Sequence, residues 1–496
     1  MSLVSMVFVL LLAAATAGYY LIAGKYQWIW LLGFSYIYYF SCGWRAACFL
    51  IFTTLTTYAA GRLLEKYKRK SILILGLFLN FGMLALLKYT NFAISNLNSL
   101  TGSHISFRNF VLPLGISFYT FQSMGYLLDV YWKKVKPETN VFRFALFVSF
   151  FPQLLQGPIG RYHRLAGQLY ERHAFSLERL QMGVQRILWG YFKKLVLADR
   201  AAPVVNLVFQ DYPNYSGVTV IFALLCYSIQ LYCDFSGGMD VVIGAAQLFG
   251  ISLDENFKRP YFAVSISDFW RRWHITLGTW MKDYVFYPFN LSHAMKRFGK
   301  WAKKVCGRQY GRLLPICAGN LLVFWLVGVW HGPDWKFIFY GLYHGVIIVV
   351  SSLMAAHFQN WKKRLHIREM SPLWKGFQIA RTFVLVNISW YFDMAVSLGA
   401  AFAMMKSTVV GFRLSALTDG SLLQLGLGAE DFLILSAGCL VVLAVSVLQE
   451  RGVSIRSRLA ETPLPFRWGI YLALIFSMAA LGQIEGTEGG FIYAQF

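Results

Sequence analysis

Long apolar runs separated by short basic stretches dominate the chain. The runs fall at about 2–23, 27–42, 45–60, 71–92, 110–131, 141–155, 215–236, 313–330, 335–356, 377–396, 431–449 and 467–484. Most approach the roughly 20 residues that carry a helix across about 30 Å of hydrocarbon. Those at 27–42, 45–60 and 141–155 are shorter and are expected to be tilted, re-entrant or half-buried in protein. The run at 2–23 has no Lys or Arg in its first ten residues. It lacks the basic start of a signal peptide, so it reads as a retained span. Two stretches are amphipathic instead. Residues 176–195 place Leu177, Leu180, Val184, Ile187 and Leu188 among Arg179, Arg186, Lys193 and Lys194. Residues 266–285 place Phe269, Trp270, Trp273, Leu277 and Trp280 beside Arg271, Arg272 and Lys282. Both are expected to lie in the membrane interface.

Composition supports this pattern. Hydrophobic residues make up 57% and charged residues only 14%, against about 25% charged in a soluble domain. That excludes both a set of soluble domains and a disordered chain. No polar stretch is long enough for a separable soluble domain. Residues 1–496 therefore read as one integral membrane domain, all-α and polytopic. The net charge is +23. In a soluble protein this would suggest nucleic acid; in a membrane protein it points to cytoplasmic loops facing anionic lipid, and no nucleic-acid partner is expected. A specific anionic ligand is the other use of such charge. The basic runs 62–70, 133–136, 296–312, 362–368 and 451–458 can all be placed on the cytoplasmic side, with both termini facing outward. The seven cysteines show no metal-ligand spacing, so no metal site is expected.

Polar groups inside apolar surroundings are costly unless paired or used, and three clusters stand out. In Trp330-His331-Gly332-Pro333-Asp334, His331 is either satisfied by a carbonyl at a Gly-Pro bend or a general base, since a buried neutral imidazole accepts a proton. His344 reads more readily as a packing partner. In Asp268-Phe269-Trp270-Arg271-Arg272-Trp273-His274, Asp268 is an N-cap or early-turn carboxylate. The arginine pair suits lipid phosphates or a phosphorylated ligand. In Tyr232-Cys233-Asp234-Phe235-Ser236-Gly237-Gly238-Met239-Asp240, two acids flank a turn-like triplet, as in a broken helix whose freed backbone groups they satisfy. No hydrolase elbow or P-loop is present. Separated histidines in apolar context with basic interfacial helices suit acyl transfer to a hydroxyl. An acyl-CoA thioester needs no metal.

These stretches also carry a resemblance. Together with Leu112-Pro113-Leu114-Gly115-Ile116-Ser117-Phe118, Phe151-Pro152-Gln153, Gly157-Pro158-Ile159, Asn256-Phe257-Lys258-Arg259-Pro260-Tyr261 and Gly341-Leu342-Tyr343-His344-Gly345, the chain resembles the membrane-bound O-acyltransferases. It resembles the membrane subunit of bacterial alginate and polysaccharide O-acetylation, and more distantly the D-alanyl teichoic acid transferase. The resemblance implies a ring of about eleven transmembrane helices around a funnel and tunnel, with interfacial and re-entrant helices. The core would span about 110–350, flanked by helices at 1–109 and 351–496.

The resemblance further implies that His331 and His274 are catalytic, with Asp268, Arg271 and Arg272 supporting the donor end. It implies acetyl-CoA as the donor, no bound cofactor, and a bacterial inner-membrane location. It also implies a periplasmic or extracellular acetylesterase-like transferase that passes acetyl to an exported polysaccharide such as alginate. The aromatic tail Phe491-Ile492-Tyr493-Ala494-Gln495-Phe496 makes Tyr493 either an acyl relay or an interfacial anchor. Transfer of D-alanine or another acyl group to a cell-wall polymer, and a polysaccharide or lipid transporter, are the alternatives. The usual Tyr of the family after Ser-Gly is Gly238 here, a usual Ser is Thr276, and Ala494 stands where an aromatic is common. These departures bear on the acceptor polymer rather than on either histidine.

Overall fold

The computed structural model describes residues 2–482 and Phe491, and every regular element among them is a helix. Seven helices are at least 18 residues long and apolar enough to cross a bilayer: Trp44–Tyr67, Lys70–Thr101, Val218–Leu248, His293–His331, Trp335–Leu353, Ala429–Glu450 and Leu464–Leu481. Met6–Leu21 and Leu398–Val410 are shorter apolar helices. The chain is a multi-pass, all-helical membrane protein. Its contacts separate two compact units. One comprises Met1–Ala202, Ile229–Glu255 and Glu430–Phe496; the other comprises Pro203–Ser228 and Asn256–Ala429.

In the first unit, glycines set how closely two helices approach. Helix Leu177–Tyr191 carries Gly183 and Gly190, and helix Val218–Leu248 carries Gly237 and Gly244. A Cβ on Gly190 would crowd the Gly237 carbonyl, and one on Gly244 would crowd the Gly183 carbonyl. Both pairs are seven residues apart and run in opposite senses, so the helices cross antiparallel with backbones in contact. That approach brings opposite charges together. Lys194 Nζ lies 2.7 Å from both Asp199 and Asp234. Lys193 Nζ lies 2.7 Å from Asp240 and 2.8 Å from Ser236. Arg186 joins Asp240 at 2.8 Å and grips Glu255 through both terminal nitrogens.

This arrangement changes two expectations. The Asp234–Ser236–Asp240 stretch does not break its helix, which continues to Leu248. The acids take their partners from a neighbouring helix and leave the backbone ladder intact. The 176–195 stretch likewise turns its basic residues inward, and Arg186, Lys193 and Lys194 are all buried. Gly238 also has a local reason: a Cβ there would overlap the Gln156 side-chain amide.

In the second unit, His293–His331 and Trp335–Leu353 form a helical hairpin. Its first helix is interrupted at Gly307, whose φ of 87° lies in the left-handed region. Asp334 caps the second helix by accepting the Lys336 N–H at 2.8 Å. Gly328 meets the Phe337 carbonyl and Gly341 the Phe324 carbonyl where any Cβ would overlap. Helix Pro372–Met394 is tied to the 218–228 segment: Trp390 Nε1 donates to Ser228 Oγ at 3.0 Å, and Ser228 Oγ donates to Asn387 Oδ1 at 2.9 Å. The 266–285 stretch is not one interfacial helix. It divides at His274, with Ile266–Arg272 before and Ile275–Met281 after.

Candidate functional site

Both histidines singled out from the sequence lie in the second unit, and the same side chain touches both. The Trp330 indole makes edge contacts with the His274 and His331 rings, each at a centroid distance of 5.3 Å. His274 is fully buried and His331 is 2% exposed.

His274 sits at a backbone break, with φ 45° and ψ 51°. The break lets the chain reverse around Asn256. Ile275 N donates to the Asn256 carbonyl at 3.0 Å, and Lys258 N to the Arg272 carbonyl at 2.9 Å. Asn256 Oδ1 accepts from Thr276 N at 3.0 Å and Thr276 Oγ1 at 2.9 Å, and faces His274 Nδ1 at 3.3 Å. A backbone N–H can only donate, so this atom of Asn256 is its oxygen. Nδ1 of His274 therefore carries the hydrogen, and Nε2 holds the lone pair. Burial pushes this imidazole down to about 3, so it is neutral at physiological pH.

His331 ends the first helix of the hairpin. Its ring packs on Tyr340 at 4.9 Å and on Phe337 at 6.3 Å. Its Nδ1 is 3.8 Å from Oδ1 of Asp393, in the last turn of helix Pro372–Met394. Oδ2 of the same carboxylate accepts from the Tyr227 hydroxyl at 2.7 Å. Lys336 Nζ holds the end of that helix, donating to the carbonyls of Ala395 at 2.6 Å and Asp393 at 3.2 Å. A lysine there complements the negative end of the helix.

The remaining predicted residues take plainer positions. Ser265, not Asp268, caps its helix, and Asp268 is the early-turn carboxylate. Asp268 holds Arg272 at 3.1 Å and Arg271 at 3.3 Å. Arg271 keeps 68% of its side chain exposed. His344 is fully buried, stacked on Phe269 and edge-on to Trp270 and Tyr340. Tyr493 lies outside the described residues. Sequence reasoning passed over Asp393, Asn256, Tyr227 and Tyr340. The signal for Asp393 was present: an acid inside the apolar run 377–396, on one helical face with Asn387 and Trp390 at three-residue spacing.

Residues 136–302, which include Asn256 and His274, match the profile of the MBOAT, membrane-bound O-acyltransferase family. A peptidoglycan O-acetyltransferase of Helicobacter pylori is 33% identical over 387 residues, covering 73% of this chain and 68% of that protein. The chain belongs to the membrane-bound O-acyltransferase family. A probable alginate O-acetylase of Pseudomonas aeruginosa is 31% identical over 84% of this chain and 77% of its own. A teichoic acid D-alanyltransferase of Bacillus subtilis is 31% identical over 52% of this chain and 62% of its own. This membrane-bound O-acyltransferase is therefore an enzyme of acyl transfer, embedded by several apolar helices.

Proposed function

We propose that the protein moves an acetyl group from cytoplasmic acetyl-CoA to a hydroxyl, for O-acetylation of an exported polysaccharide at the bacterial inner membrane. The observation that carries this reading is the buried His331, with a carboxylate on its Nδ1 side. A neutral imidazole in that setting takes a hydroxyl proton at Nε2. The hydroxyl oxygen then bonds to the thioester carbonyl carbon, the C–S bond breaks, and the CoA sulfur leaves as thiolate. The proton held by His331 returns to that sulfur. The products are the acetyl ester and free thiol, and no redox step or metal is required. His274, protonated at Nδ1, offers an accepting Nε2. It therefore orients a hydrogen donor near the reaction. The exposed Arg271 guanidinium suits CoA phosphates, with Asp268 fixing it and Arg272.

Relatives named as O-acetyltransferases of peptidoglycan and alginate support acetyl transfer to a polysaccharide. Tyr493 is the proposed acyl relay to a periplasmic or extracellular acetylesterase-like transferase. D-alanyl transfer is the second reading, favoured by the teichoic acid relative.

The test uses membranes containing the protein, its polymer and its cellular partners, supplied with acetyl-labelled acetyl-CoA. Alkali-labile label should appear in polysaccharide and vanish in His331→Ala, while expression and membrane insertion stay normal. Retained labelling in that variant would remove the basis of this reading. Label entering only from a D-alanyl donor would select the second one.

A further inference from the structure

A carboxylate lies buried beside His331. Asp393 is 6% exposed within an apolar helix, where an unpaired ionised group is costly. One oxygen is accounted for by the Tyr227 hydroxyl at 2.7 Å. The other, Oδ1, accepts no hydrogen bond among the described residues, and it is the oxygen 3.8 Å from His331 Nδ1. A carboxylate has lone pairs for about four donors, so Oδ1 has capacity to spare on the side where the imidazole stands.

Lys336 does not close on the carboxylate. It holds the backbone carbonyls of Asp393 and Ala395 instead. In this way it fixes the helix end that carries Asp393 and supplies positive charge there, without occupying Oδ1. Tyr227 fixes the carboxylate from one side and Lys336 fixes its backbone from the other. Tyr340 and Phe337 pack the imidazole. Catalytic hydrogen bonds are often long in empty sites and shorten when substrate is bound.

We infer that Asp393 is a positioning residue for His331. It holds the imidazole with hydrogen on Nδ1 and lone pair on Nε2, and it stabilises the imidazolium once the hydroxyl proton has arrived. The inference rests on the role proposed for His331. In the reaction the hydroxyl proton moves to Nε2, the Nδ1 hydrogen stays on the ring and closes on Oδ1, and Asp393 remains ionised. When the proton passes to the departing sulfur, the ring returns to its starting tautomer. Asp393 touches neither donor nor acceptor; it acts through the ring.

The decisive variant is Asp393→Asn in membranes assayed with labelled acetyl-CoA. The amide oxygen still accepts from Tyr227, so the structural contact survives. Only the charge and the tautomer preference are lost. The maximal rate should fall about 100-fold or more, on the scale of losing an orienting carboxylate, with KM for acetyl-CoA unchanged. The acidic limb of the pH profile should move to lower pH, because an imidazole without its anion is harder to protonate. Lys336 and Tyr227, which contact Asp393, stay in place, as does Asp334 beside Lys336. Asp393→Glu should recover part of the rate.

A wild-type rate and pH profile in Asp393→Asn, with His331→Ala inactive, would overturn this inference and leave the proposed function standing. Activity in His331→Ala would overturn both. If Asp393→Asn does not fold, Tyr227→Phe keeps the carboxylate and removes its clamp. It should lower the maximal rate about 10-fold at unchanged KM, and a wild-type rate there would also overturn the inference.

Discussion

Replacing Lys194 with Met tests whether the buried ion pairs of the first unit hold its two glycine-crossed helices together. Lys194 is 3% exposed and bridges Asp199, at 5%, and Asp234, at 0%. Each contact is 2.7 Å. At an effective dielectric of about 20, each is worth roughly 6 kcal/mol of Coulomb attraction before desolvation of the three groups is charged against it. Methionine fills nearly the same volume but removes the cation that both carboxylates contact. Breaking a buried pair in this way costs about 3–5 kcal/mol. Removing all three charges together, as Lys194→Met with Asp199→Asn and Asp234→Asn, should recover most of that loss, because no uncompensated ion remains. The assay is thermal unfolding of detergent-purified protein, followed by the fraction surviving size-exclusion chromatography. The single variant should melt on the order of 5–10 °C lower, and the triple variant within a few degrees of the parent. Equal melting of the single variant and the parent would show that the pairs contribute nothing. A triple variant as unstable as the single one would assign the loss to packing rather than charge.

Other outcomes follow from the same geometry. Gly190→Leu should prevent the helix crossing and abolish accumulation of folded protein, whereas Gly376→Leu, where an added Cβ meets nothing within 4 Å, should accumulate normally; immunoblotting of membranes reads both. Asn256→Ala removes the oxygen shared by His274 and Thr276, and labelled acetyl transfer should fall at least 10-fold; an unchanged rate would mean that the His274 tautomer is immaterial. For His274, the folded value of about 3 lies below the ordinary 6.5. The unfolded chain therefore binds the extra proton first as pH drops. Stability is full above 6.5 and is lost by at most about 1.4 kcal/mol per pH unit down to 3. His274→Asn, which tolerates the left-handed backbone, should flatten the loss of melting temperature between pH 7 and pH 5. Parallel curves for parent and variant would refute the assignment.

The seven long apolar helices and their membrane setting were legible from hydrophobic runs alone, because a bilayer forces each span to be long, apolar and internally hydrogen-bonded. His331 and His274 were legible as polar residues in costly surroundings. What was not legible depended on partners distant in sequence. Arg186, Lys193 and Lys194 read as the polar face of a helix in the membrane interface, since periodicity shows that a face is charged but not what it meets. Asp199 lies five residues from Lys194, but Asp234 and Asp240 are 40 or more residues away in the chain. The division of 266–285 at His274 was hidden for a related reason. No Gly or Pro marks it, and the reversal is held by Asn256, a loop residue 18 positions earlier whose contacts only the fold shows. Asp393 was visible as an acid within an apolar run, yet only the fold brings it to a histidine 62 residues earlier.

The glycine-paired helices have a kinetic consequence. Sliding one past the other by a single turn would carry Gly190 away from Gly237 and separate Lys194 from Asp234 and Lys193 and Arg186 from Asp240 in one step. No intermediate register satisfies both the steric and the charge requirement, so the pair has one deep resting position. It should behave as a stiff post. Backbone amides around Gly190 and Gly237 should exchange with deuterated water more slowly than those near Gly307, where the other unit's long helix is already interrupted. Shape changes during turnover would then arise at such interruptions, while the post stays in register.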